Sequence, residues 1–166
     1  YEITTRLVGS EMCIRDRNYE VSINSAVKNL QDIAGIRVIC SYVQDVYTIA
    51  NLLVSQDDVH LVRMADYIRE PKPNGYRSLH LIVEIPVFLS EGRILVPVEV
   101  QIRTIAMDFW ASLEHSLRYK AQEYIPQHIS DELQRVATDI ASLDQRMQAI
   151  HDQVDELSDA RSDNAT

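Results

Sequence analysis

The sequence predicts an α+β domain, a mixed β-sheet flanked by helices and followed by a C-terminal helical extension. Three observations carry that prediction. Two β-rich apolar runs, Ile33 to Cys40 and Val59 to Ile68, bracket a segment with helical periodicity. Two alternating segments, Leu79 to Phe88 and Ile94 to Arg103, are separated by Ser90-Glu91-Gly92, which reads as a hairpin turn. Beyond Pro126, apolar residues recur at strict 3-4 spacing for almost four heptads.

Taken in order, residues 1–17 (YEITTRLVGSEMCIRDR) show neither strand alternation nor a helical stripe. The part LVGSEMCIRDR resembles a translated sequencing-adapter junction, so 1–17 is expected to be a non-native segment and is left out of the fold. The domain is expected over 18–125, incomplete on its N-terminal side. Ser22 to Gln31 suits a short helix with Ala26, Val27 and Leu30 on one side. The run IAGIRVIC reads as a central strand. Val46, Ile49, Ala50 and Leu53 define an amphipathic helix over 43–55. Residues 69–77, with two prolines and Asn-Gly, form a loop. Thr104 is placed to cap a helix to about Ala121 with Phe109, Trp110, Leu113 and Leu117 as its apolar stripe. Ser130 is expected to start the last helix, over 126–157. Its seam is Leu133, Val136, Ile140, Leu143, Met147, Ile150, Val154 and Leu157. The polar tail 158–166 is expected to be disordered.

Composition narrows the function. The 166 residues, 46% hydrophobic and 25% charged, are ordinary for a soluble globular domain. No apolar run reaches the roughly 18 residues of a membrane span, so no membrane association is expected. Cys13 and Cys40 have neither metal spacing nor a disulfide framework, and the cytoplasm is the expected compartment. A net charge of -9 disfavours nucleic acid as a partner. From Ile129 onward, nine acidic residues and three arginines leave -6 there and only -3 on the rest, so an anion can be held locally.

The strand VPVEVQIRT carries the most information. Alternation puts Val96, Val98, Val100 and Ile102 on one face and Glu99, Gln101 and Arg103 on the other. A carboxylate, an amide and a guanidinium in a row suit either a solvated sheet face with a cross-strand ion pair or a ligand site. On the partner strand, Ser78 and His80 follow a basic loop holding Arg69, Lys72 and Arg77 around Asn74-Gly75-Tyr76. Cations, a glycine and an aromatic ring suit a nucleotide, although an ordinary basic turn has the same composition. Asp32 precedes the first strand; paired with Glu99 it would call for a cation such as Mg²⁺, and spacing leaves open whether they meet. His115 shares a helix face with Asp108 and Ser112, as a surface residue or a pocket wall. Neither a P-loop nor a glycine-rich dinucleotide fingerprint is present.

QDIAGIRV, PKPNGYRSLHL, VEVQIRT and AMDFWASLEHSLRYK together resemble the synthetase domain of RelA/SpoT enzymes, in particular the small alarmone synthetases of the RelQ type. The resemblance covers about 18–157. It implies a nucleotidyltransferase-like fold and a GTP pyrophosphokinase moving the β,γ-pyrophosphate of ATP to the 3′-hydroxyl of GDP or GTP, giving the alarmones ppGpp or pppGpp. It implies that Asp32 and Glu99 coordinate Mg²⁺ and are catalytic, with Glu99 also base or orienter for the hydroxyl. Tyr76 would stack on guanine; Lys72, Asn74 and His80 would hold phosphates and ribose; Arg37 and Arg77 are further phosphate candidates. Gln101, Arg103, Ala111 and His115 would line the acceptor pocket. The resemblance also implies a homo-oligomer, commonly a tetramer, with 126–157 as its interface helix.

One departure stands out. The family grips ATP with an Arg-x-Lys segment upstream of Asp32, which Arg15 and Arg17 do not match. The acceptor and metal half is therefore expected intact and the donor half incomplete, so this chain should bind GDP or GTP and make little product. With no hydrolase segment ahead of the core, synthesis alone is expected. The alternative is a truncated, catalytically weak guanine-nucleotide-binding regulatory module.

Overall fold

A computed structural model of the chain describes residues 34–90, 92–121 and 125–163. Asp32 and the helix expected at Ser22 to Gln31 lie outside them. The elements are β1 (Ala34–Cys40), α1 (Val43–Val54), β2 (His60–Asp66), β3 (Leu79–Leu89), β4 (Gly92–Thr104), α2 (Ile105–Lys120) and α3 (Gln127–Asp163). They fall into two compact units. One holds Ala50–Ala65, Leu79–Ile102 and the first part of β1; the other holds Ile39–Ile49, Asp66–Ser78 and the chain from Arg103 onward.

The first unit contains most of a four-stranded sheet of order β1-β4-β3-β2. β3 and β4 pair antiparallel from Leu79↔Ile102 to Leu89↔Gly92, and Gly92 takes a φ of +129°, which favours glycine where the hairpin returns. Register and alternation stack Leu79 on Ile102, Leu81 on Val100 and Val83 on Val98, all 5% exposed or less. Each such side chain contributes roughly 1.5–3 kcal/mol of burial, so this face anchors the hairpin. Among the described residues β1 is an edge strand, not the central one expected. Ile36 and Ile39 are 56% and 44% exposed, because β4 takes the interior position that an apolar run alone suggests for β1.

In the second unit Thr104 caps α2 as expected: its backbone is extended and its side chain accepts the Met107 N–H. The face α2 buries differs from the expected one. Met107, Trp110, Ala111 and Glu114 point inward, whereas Phe109, Leu113 and Leu117 are 46–58% exposed. The indole decides this: a buried Trp N–H needs an acceptor, and Trp110 Nε1 donates to Leu133 O of α3 at 3.1 Å.

α3 begins at Gln127, three residues before the expected Ser130. Pro126 O accepts from Ile129 and Ser130 N–H, so the proline, having no N–H to satisfy, opens the first turn. The helix runs on to Asp163 through the expected tail, with neither glycine nor proline to stop it. Its inner face is Leu133, Ala137, Ile140, Ala141 and Asp144; Trp110, Ala111 and Ala137 form a cluster against which Tyr76, Leu133 and Ile140 pack. The expected heptad seam is thus divided. Leu133 and Ile140 pack at home, and Val136, Leu143, Met147, Ile150, Val154 and Leu157 remain 38–63% exposed.

Candidate functional site

Each unit holds its own cluster of polar side chains. In the sheet unit, alternation brings His80, Glu99 and Gln101 to one face, His80 opposite Gln101 and diagonal to Glu99. His80 Nδ1 lies 2.9 Å from Glu99 Oε1, and Gln101 Nε2 donates to Oε2 at 3.0 Å. The carboxylate is therefore fixed at both oxygens and still 19% exposed. A carboxylate oxygen at partial exposure is the kind of ligand a hard cation takes. Of the two readings left open for this face, the cross-strand pair is present, and it orients the carboxylate.

In the second unit the loop 69–77 closes as a tight turn. Gly75 N–H donates to Lys72 O at 2.8 Å and Lys72 N–H to Tyr76 O at 3.1 Å. Gly75 has a φ of +89°, and a Cβ added there would sit 2.4 Å from Ala137 Cβ. Both facts require glycine. Asn74 Oδ1 accepts the Tyr76 N–H, and its amide donates to Glu114, which is 7% exposed and also paired with Arg118.

This turn presents Tyr76 among cations. The Lys72 ammonium lies 4.6 Å from the Tyr67 ring centre and 4.8 Å from that of Tyr76. The Arg103 guanidinium sits 5.1 Å from the Tyr76 ring, and its Nη2 donates to the phenol at 2.6 Å. Arg103, 5% exposed, also donates to Ser78 Oγ at 3.3 Å and to Asp108 at 3.1 Å. Cation–π contacts of about 0.5–2 kcal/mol each hold the ring. The result is a fixed aromatic surface ringed with positive charge.

The other expected site residues are spread over both units. Ala111 is on the buried face of α2, His115 on its exposed side, and Arg37 is exposed on β1. Arg77 turns to Ile68 O at 2.6 Å, and its buried Nε has no hydrogen-bond partner among the described residues. Sequence reasoning passed over Tyr67, Glu114 and Asp144. Glu114 had one signal, its i,i+4 spacing to Arg118; Tyr67 and Asp144 had none. Three groups have pKa values raised above their ordinary ones. Burial first, then Asp45, raises the Cys40 thiol. Burial, then Asp66, raises the Tyr47 phenol; burial raises Asp144 against the opposing effects of Thr104 and Arg77. Among the described residues no helix is long and apolar enough to cross a membrane.

The protein is an α+β domain with an anchored sheet carboxylate and a cation-ringed tyrosine. Residues 11–124 match the family described as the region found in RelA/SpoT proteins, and the chain belongs to that family. It is 47% identical over 136 residues to the GTP pyrophosphokinase YwaC of Bacillus subtilis, covering 82% of this chain and 65% of that protein. Against YjbM, a GTP pyrophosphokinase of the same bacterium, identity is 42% over 82% of this chain and 64% of the relative. The chain thus spans just under two thirds of each. Among solved structures, the small alarmone synthetase 2 of Bacillus subtilis superposes with a TM-score of 0.81 at 41% identity, over 89% of this chain and 76% of that one. Small alarmone synthetase 1, bound to its product pppGpp, gives 0.83 at 38% identity, over 91% and 77%.

Proposed function

We propose that this chain is the synthetase domain of a cytoplasmic GTP pyrophosphokinase, transferring the β,γ-pyrophosphate of ATP to the 3′-hydroxyl of GDP or GTP. The observation that carries the reading is Tyr76 held by Lys72 and Arg103, within the residues 11–124 that match the family. A guanine base stacked on Tyr76 gains roughly 1–3 kcal/mol. Lys72 answers the acceptor phosphates, His80 and Asn74 orient phosphate and ribose, and Gln101, Arg103, Ala111 and His115 complete the acceptor pocket. Arg37 and Arg77 are further phosphate candidates, Arg77 with its Nη2 already donating to Ile68 O.

Glu99, with Asp32, would hold Mg²⁺, and the anchored, part-exposed carboxylate fits a hard cation. When bound, the ion neutralises charge on the transferred phosphates. The chain's own residues position the acceptor. The 3′-oxygen forms a bond to the β-phosphorus of ATP, the bond from that phosphorus to the α–β bridging oxygen breaks, and AMP leaves. Glu99 orients the hydroxyl and takes its proton, while Gln101 and His80 keep the carboxylate in place. Chromatography of a mixture with ATP and GDP should show AMP and the 3′-pyrophosphorylated nucleotide, in the low yield expected where Arg15 and Arg17 do not match the family's ATP-gripping segment. Glu99→Gln should reduce the product at least a hundredfold while GDP still binds in titration calorimetry. Equal turnover by the variant, or no GDP binding by the parent chain, would refute the proposal.

The exposed stripe of α3 supports a homo-oligomer, a tetramer as the family resemblance implies. From Val136 to Leu157 it runs about 30 Å along the helix axis. Ile150→Lys with Val154→Lys should lower the mass measured by light scattering; an unchanged mass refutes this interface.

A further inference from the structure

Asp144 plays no part in the chemistry above, yet it is 6% exposed on the inner face of α3. Its Oδ2 accepts the hydroxyl of Thr104 at 2.5 Å. That hydroxyl has one proton and two duties: its oxygen accepts the Met107 N–H at 3.1 Å, so its proton goes to Asp144. Thr104, fully buried, is bonded in sequence to Arg103. Arg103 in turn fastens Tyr76 through the phenol and the ring face. Seven residues earlier on the same face of α3, Ala137 lies beneath Gly75, where no Cβ would fit. The helix therefore touches the tyrosine-bearing loop at its turn and Thr104, the residue next to Arg103, two helical turns apart, about 10 Å.

We infer that Asp144 is a positioning residue. Through Thr104 and Arg103 it sets the placement of Tyr76, with Ala137 supporting the same loop from below, so α3 is part of the acceptor apparatus as well as a candidate interface. This rests on the reading of Tyr76 as the guanine platform, and it concerns affinity for the acceptor alone. A residue acting through Tyr76 alters guanine-nucleotide binding; one that merely stabilises the fold alters unfolding and leaves the affinity of the folded fraction unchanged.

The test is titration calorimetry with GDP on the whole chain, with circular dichroism to confirm folding. Asp144→Ala should weaken GDP binding about tenfold while helicity is kept. Asp144→Asn, which can still accept the Thr104 hydroxyl, should recover most of the loss. Should Asp144→Ala fail to fold, Ala137→Val carries the test, since it pushes on Gly75 from a helix that still forms; it too should weaken GDP about tenfold. Wild-type affinity in a folded Asp144→Ala, or in Ala137→Val if the alanine variant is unfolded, overturns the inference while the functional reading survives. No GDP binding by the parent chain removes the functional reading and this inference together.

Discussion

Replacing Gly75 with alanine isolates the contact on which the loop geometry depends. The residue has a φ of +89°, a conformation costing an L-residue roughly 1–2 kcal/mol. The added Cβ would lie 2.4 Å from Ala137 Cβ, and overpacking of that kind costs about 1–3 kcal/mol. Gly75→Ala should therefore destabilise the chain by about 2–5 kcal/mol. The two contributions can be separated. Ala137→Gly alone should cost about 2 kcal/mol, from helix propensity and one lost methyl. It also removes the obstructing carbon, so in that background Gly75→Ala should cost only the backbone share, about 1–2 kcal/mol. The assay is urea unfolding followed by fluorescence of Trp110, the sole tryptophan, which lies 3.8 Å from the same added Cβ. A Gly75→Ala variant within about 0.5 kcal/mol of wild type, the usual range for unconstrained surface sites, would refute the close approach. An unchanged cost in the Ala137→Gly background would refute Ala137 as its cause.

Three further outcomes follow from the same packing. Thr104→Ala should cost about 2–4 kcal/mol by denaturant unfolding, since it removes a helix cap and the partner of a buried carboxyl; Thr104→Ser should retain most of the stability. Leu81→Ala, at a fully buried position opposite Val100, should cost about 2–5 kcal/mol in the same measurement. Asp144 gives a pH signature. Burial raises its pKa above the ordinary 3.8, so the folded chain keeps a proton that the unfolded chain has released. Its contribution to stability should fall as pH rises through the window from 3.8 to that raised value, and level off above it. Wild-type stability should lose ground against Asp144→Asn across that window in pH-resolved melts; parallel curves would contradict it.

Much of the architecture was legible from local pattern. The 2-residue alternation of LHLIV and VPVEVQI found β3 and β4 and the face each buries, because a strand has only two faces and one of them must be apolar. Thr104 as a cap and Pro126 as a break are local hydrogen-bond chemistry, readable without partners. The same alternation grouped Glu99 with Gln101, and the motif around Tyr76 gathered the basic loop.

What tertiary structure decided is which of several available faces wins. α2 and α3 each carry more apolar residues than one face can bury. The inward side of α2 follows from where Trp110 finds an acceptor, at Leu133 O, and that of α3 from Ala137 beneath Gly75 and Asp144 beneath Thr104. These pairings join residues 23 to 62 positions apart, and a helical period contains no information about them. β1 reads as interior by composition yet lies at the sheet edge among the described residues, because strand order is settled by which neighbours complete the hydrogen-bond ladder. The sequence by itself determined the elements and the chemical types at the site; long-range packing decided which side chains hold Tyr76 and Glu99 in position.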